Sequence, residues 1–203
     1  MVMNTEIVNW ALIKIGESPV SSNAQSPLGK ILNIVYEEVR LQLLSLYPWK
    51  FATKRTILAP LAEESDHPRF KYKYELPSDC ILFRGISEYN KIADLRDYKA
   101  SSGTFYEIAG KNIYAHTNEL YIKYIADVDD KLYTQTFKEA FANKLASELS
   151  IKVMQNVELV QLYEAKYQQT LQQAIEHNEI ECDTEEMPEN TWLAIREGWR
   201  NVY

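Results

Sequence analysis

The stretch "LLSLYPWKFATKRTIL", Leu43 to Leu58, is where the texture of the chain changes. Up to Leu46 the apolar residues recur every three or four positions, as on one side of a helix. Pro48 holds the residue before it in an extended conformation, so the helix must stop near Tyr47. From Trp49 onward "WKFATKRTIL" looks extended. Upstream, Ser26 and Pro27 supply a cap residue and a proline at the first helical position, and both favour a helix start there. The stripe of that helix is Leu28, Ile31, Leu32, Val35, Val39, Leu43 and Leu46. Further upstream, Asn4 or Thr5 can cap a shorter helix carrying Ile7, Trp10, Ala11 and Ile15, which Gly16 ends.

Downstream, "FKYKYEL" alternates strictly. Phe70, Tyr72, Tyr74 and Leu76 fall on one side of a strand, and Lys71, Lys73 and Glu75 on the other. "FYEIAGKNIYA" reads as a hairpin turning at Gly110-Lys111, with "ELYIKYIA" as its partner strand. Residues 49–126 are thus expected to form one small, mostly antiparallel sheet. Helix resumes where Thr136 and Glu139 have the spacing of a capping box, followed by Phe137, Phe141, Leu145, Leu149 and Val153 at four-residue intervals. A second stretch carries Val160, Tyr163, Tyr167, Leu171 and Ile175. Asn156 either breaks the two or lies within one long helix. The expected fold is α+β, mainly α. Residues 1–48 and 127–178 form a helical bundle, 49–126 an inserted β region, and 179–203 an extended C-terminal arm.

That arm opens on "NEIECDTEEMPE", which has acids at Glu179, Glu181, Asp183, Glu185, Glu186 and Glu189 and no base. Such a segment has little to bury and reads as solvated and extended. Beyond it Trp192, Ile195 and Trp199 share an apolar edge, accompanied by Arg196, Arg200 and Tyr203. These six residues either fold back onto the core as a terminal helix or anchor another chain, where Trp and Arg tend to be the costly contacts.

With 203 residues the chain can bury a sizeable core. Fourteen tyrosines and four tryptophans are a heavy aromatic load, of the kind interfaces use. Six glycines leave no phosphate-cradling spacing. A net charge of −7 argues against gripping nucleic acid through its phosphates. Cys80 and Cys182 are too far apart for a metal knuckle, and three histidines show no ligand spacing, so neither a metal nor a cofactor is expected. The start "MVMNTEIVNWALIKIG" has no basic leader, and Glu6, Asn9 and Lys14 interrupt its apolar residues. A soluble, cytoplasmically made protein without a membrane span is expected.

Ser78, Asp79 and Cys80 are the residues that look most like chemistry, with His67 and His116 elsewhere. Catalytic triads converge from separate segments, whereas neighbours on an extended chain point apart. No Gly-x-Ser-x-Gly elbow surrounds Ser78. Pro77 ends the strand, and Ser78 or Asp79 can accept backbone N–H bonds in the turn that follows. Paired acids such as Glu63-Glu64 and Glu185-Glu186 read as solvated charge.

The series "IVNWALIKIGESPVSS", "LLSLYPWKFATKRTIL", "YKYELPSDCI", "YEIAGKNIYAHTNELYIKYIADV" and "FKEAFANKLASELSIKV" resembles the tail tubular protein A family, over about residues 7–153. The marks are Ile-Gly-Glu-Ser-Pro-Val, the Trp49-x-Phe51 pair, the Tyr-x-Leu-Pro-x-Asp strand end and the Leu-Tyr-Ile-Lys-Tyr strand. Proteins of this family are head-to-tail adaptors of short-tailed bacteriophages. The resemblance implies a virion protein, not an enzyme, with a fold of helical bundle and inserted β region. It implies a homo-oligomeric ring, typically of twelve copies, between the portal protein and the tail nozzle protein. Viral DNA would pass through its channel without specific binding. It also implies a C-terminal arm sent to the portal, carried over here by position and composition. The alternative expectation is a tail-associated hydrolase or carbohydrate-binding component, since tyrosine-rich surfaces stack on sugars.

Overall fold

The computed structural model describes residues 3–21, 26–63, 65–86, 106–153 and 155–180. Helix α1 spans Thr5–Lys14, with Asn4 as its cap: the side chain accepts from the amides of Glu6 and Ile7. Helix α2 spans Pro27–Leu46 and is capped by Ser26. Its buried face is Leu32, Val35, Tyr36, Val39, Arg40, Leu43 and Leu44. Ile31 and Leu46, expected on the core stripe, are instead exposed. Ile31 lies outside the buried arc, and Leu46 is the last residue of the helix.

One turn of 3-10 helix, Lys50–Ala52, leads into strand β1, Thr53–Leu58. The remaining strands are β2 (Tyr72–Glu75), β3 (Cys80–Ile86), β4 (Tyr106–Ala109), β5 (Asn112–Ala115) and β6 (Leu120–Ala126). They form two antiparallel three-stranded sheets, ordered β1-β6-β3 and β2-β5-β4, where the sequence pattern predicts one. The β4-β5 hairpin turns at Gly110-Lys111 as expected, with Gly110 at φ 62°. Strand β6, however, is not the hairpin's partner. It lies between β1 and β3, in register Thr53↔Ile125 with one and Ile86↔Ile122 with the other. The reason is burial: Leu120, Ile122, Tyr124, Ile125 and Ala126 are all buried, as a central strand requires. The chain therefore changes sheet four times: after β1, at Pro77–Asp79, between β3 and β4, and at residues 116–119.

The last two helices are α3, Gln135–Lys152, and α4, Val157–Ile180. Thr134, not Thr136, caps α3 and accepts from the Phe137 amide, so the Thr136–Glu139 capping box is not formed. The helix begins two residues earlier than that spacing predicts. The question of one helix or two resolves as two. Gln155 takes a left-handed φ of 50°, and Asn156 then caps α4 by accepting from Glu158 and Leu159. Helix α3 lies at the centre, packed against α1, α2 and α4. Ala140, Ala142, Ala146, Ser147 and Ser150 are buried, small enough to let these neighbours approach. The architecture is α+β, mainly α.

Bundle and sheet meet at Trp49, which is fully buried. Its indole N–H donates to the Leu43 carbonyl at 2.7 Å, which ties the ring back to the last turns of α2. The ring lies 4.9 Å from Phe137, 5.4 Å from Tyr47 and 5.9 Å from Phe51, centre to centre. Phe137 continues to Tyr133 and Phe141, and Phe141 stacks on Tyr36 at 5.0 Å. Truncating a buried tryptophan costs about 3–5 kcal/mol through lost transfer energy and the cavity left behind. Trp49→Ala should lower stability by about that amount in urea unfolding followed by circular dichroism. An effect of less than about 1 kcal/mol would contradict the placement of Trp49 at the centre of the core.

Candidate functional site

The residues that most resemble an active site lie on the turn between β2 and β3. The Leu76 amide donates to the Lys111 carbonyl, Pro77 ends the pairing, and the Cys80 amide closes the turn on the Pro77 carbonyl at 2.9 Å. Asp79 is held from two strands: Lys54 Nζ lies 2.7 Å from Oδ2, and the Tyr124 hydroxyl donates to Oδ1 at 3.1 Å. Its carbonyl accepts from the Asp127 amide at 2.6 Å. The Lys54 bond, with help from Tyr124, keeps the Asp79 carboxyl below its ordinary range despite partial burial. Burial, then Asp79, pushes the Tyr124 phenol up to about 12. Burial and the neighbouring Asp79 charge push the Cys80 thiol up as well, away from the thiolate a nucleophile needs. Ser78 is exposed.

The histidines are engaged with the other sheet. His67 Nδ1 accepts from the Arg69 amide at 3.2 Å, which places the proton on Nε2, 3.2 Å from Glu107 Oε2. The His67 ring packs on Phe70 and Tyr114, and His116 packs on Phe70. Ser78, Asp79 and Cys80 therefore form a strand-to-strand corner, with Asp79 as a brace. Glu63 is exposed in the loop after β1, while Glu64, Glu185 and Glu186 lie outside the described residues. Among the described residues no group of three or more His, Cys, Asp or Glu side chains is placed to hold a metal ion. No described helix is long and apolar enough to cross a membrane.

Trp192, Ile195, Arg196, Trp199, Arg200 and Tyr203 lie outside the described residues. What is described is the root of the segment that carries them. Helix α4 extends to Ile180, past the expected start of the arm. Its buried side is Tyr163, Tyr167, Leu171, Ala174 and Asn178. The side-chain Oδ1 of Asn178 accepts from the Lys50 amide at 2.9 Å, and the Tyr47 hydroxyl donates to Glu179 at 2.7 Å. At the other end of the helix the Tyr163 hydroxyl donates to the Lys14 carbonyl at the end of α1. The chain beyond Ile180 thus leaves from the corner where α2 becomes sheet, beside Trp49. Sequence reading missed Asn178. The signal was its place four residues after Ala174, a polar residue prolonging an apolar stripe.

A second brace escaped it too. Arg40 is only 3% exposed, in the middle of the α2 stripe. Its Nη1 lies 2.6 Å from Asp127 Oδ1, and its Nε donates to Glu37 at 3.0 Å. Burial alone would weaken its charge, but the bonds to Asp127 and Glu37 outweigh that and hold the guanidinium protonated. Arg40, Asp127 and Asp79 so form a polar path from α2 into all three strands of the first sheet.

No protein-family model matches this sequence, and no curated protein matches it.

The Asp79 brace has a pH signature. A carboxyl whose folded-state pKa is depressed stabilises the fold above its unfolded value of about 3.9, and that contribution fades as pH falls through the folded-state value. The urea midpoint of the wild type should exceed that of Asp79→Asn at pH 7, with the two converging below about pH 4. A gap unchanged from pH 7 to pH 3 would show that the Asp79 charge is not what the contact uses.

Proposed function

We propose that this chain is a structural, non-enzymatic virion protein. It is a head-to-tail adaptor whose copies form a ring, twelve by the resemblance, between a portal protein and a tail nozzle protein. The observation that carries the reading is the root of the C-terminal segment. Asn178 and Glu179 fasten the end of α4 to Lys50 and Tyr47, at the junction of bundle and sheet. An arm projected from such a point has a firm base, and its tryptophans and arginines are the residue types that anchor interfaces. The order of helical bundle, β region and return to the bundle also agrees with what the resemblance implies. The net charge of −7 suits a channel past which DNA slides, since like charge repels phosphates. Asp79 and Cys80, committed to a brace and to a protonated thiol, support a non-catalytic role for the turn between β2 and β3.

A chain ending at Ile180 retains the Glu179–Tyr47 contact and should keep the circular dichroism of the full-length protein. It should lose binding to the portal protein in co-sedimentation. Portal binding that survives this truncation would contradict the anchor assignment.

A further inference from the structure

Between β1 and β2 the chain makes a turn that is closed by a side chain. The His67 amide donates to the Ser65 hydroxyl at 3.3 Å, and the Arg69 amide donates to His67 Nδ1 at 3.2 Å. Pro68, its φ fixed by the ring, stands between them. On the far side of the imidazole, Nε2 lies 3.2 Å from Glu107 Oε2 on β4. The ring packs 4.9 Å from Phe70 and 5.1 Å from Tyr114, centre to centre, and the side chain is 16% exposed. One imidazole therefore ties the turn before β2 to β4 and β5 of the second sheet.

The two ring nitrogens make opposite demands. Nδ1 must lack a proton to accept from the Arg69 amide, and Nε2 must carry one to donate to Glu107. The neutral ring with its proton on Nε2 meets both. A second proton, taken from solvent onto Nδ1, sets a donor against a donor and ends the Arg69 bond. The same charge strengthens the contact with Glu107, because a bond between ionised partners is the stronger kind. The turn is released while the ring stays on the sheet. Among the described residues, the other ionisable groups around this ring are Asp66, Lys73, Arg69, Tyr114 and His116. Asp66 is held by Tyr114 and by Lys73 at 3.5 Å, the Arg69 guanidinium lies 5.7 Å from the Phe70 ring centre, and His116 packs on Phe70.

We propose that His67 is an acid-sensitive clasp: a proton gained at Nδ1 frees the Ser65–Arg69 turn, while Glu107 retains the ring on the second sheet. Histidine is the side chain suited to this, since imidazoles change charge between about pH 5 and 8. The clasp loosens a connection between the two sheets and leaves the bundle untouched. It does not depend on the adaptor reading.

The test is NMR of the isotopically labelled full-length chain from pH 8 to pH 5. The Arg69 amide proton should move upfield as the pH falls. Its protection from exchange, relative to the unfolded-chain rate at each pH, should drop about two- to tenfold, the worth of one hydrogen bond. Both changes should follow the protonation of the His67 ring, read from its own carbon-bound protons. Nuclear Overhauser contacts between the His67 and Tyr114 rings should persist at pH 5 in the wild type and weaken there in Glu107→Ala. In His67→Phe, which keeps a ring and removes Nδ1, the Arg69 amide should be unprotected at both ends of the range. An Arg69 amide that does not change between pH 8 and pH 5, or that follows the His116 ring instead, would overturn the proposal. So would an Arg69 amide that stays protected in His67→Phe, and so would loss of the His67–Tyr114 contacts at pH 5 in the wild type.

Discussion

The position of Trp49 constrains most of this structure. Its indole donates to the Leu43 carbonyl in the last turns of α2, and its ring faces Phe137 on α3 and Phe51 at the mouth of β1. Pro48 forces the chain out of helix at this point, and Trp49 fixes the direction it then takes. Because Phe137 also meets Tyr133, Phe51 and Phe141, the aromatic packing joins both halves of the bundle to the first sheet. Edge-to-face contacts of this kind add about 0.5–1.5 kcal/mol each beyond the area buried. Their geometry also orients the elements that carry them.

Polar contacts secure what the aromatic core has placed. Arg40 reaches from a buried position on α2 to Asp127 just after β6, and Asp127 and Asp79 share a backbone bond. Asp79 in turn holds Lys54 on β1 and Tyr124 on β6. Asn178 and Tyr47 close the far end of α4 onto the segment where α2 becomes sheet. A buried arginine is expensive to leave unpaired, so the pair specifies how α2 lies against the sheet more than it adds net stability. The outcome is a packed platform from which the C-terminal segment departs, and the adaptor reading assigns the function to what the platform presents.

Much of this was legible in the residues, for identifiable reasons. The Ser26-Pro27 start, the Pro48 stop, the Gly110-Lys111 turn and the strand ending before Pro77 are local signals, and each falls where local chemistry puts it. The signals that failed depend on distant parts of the chain. Nothing in "ELYIKYIA" states that its partners are β1 and β3, because pairing is decided by which faces are buried, not by proximity in sequence. Thr134 and Thr136 are equivalent candidates as caps until tertiary packing of Phe137 selects the earlier start. Arg40 and Asn178 read as surface residues by type, and only their positions on apolar stripes pointed inward. The Ser78-Asp79-Cys80 run looked chemical for its residue types, yet its geometry is that of a corner between two sheets.

The central claim is that bundle and sheet form one cooperative unit joined at Trp49. Native-state hydrogen exchange at increasing denaturant tests it most directly, because it reports the opening free energy of each segment separately. The account predicts that the slowest amides of β6, at Ile122 and Ile125, and of α3, at Phe141 and Leu145, open with the same free energy and the same denaturant dependence. Amides of β6 that open several kcal/mol more easily than those of α3 would contradict it, since the sheet would then unfold while the bundle persists.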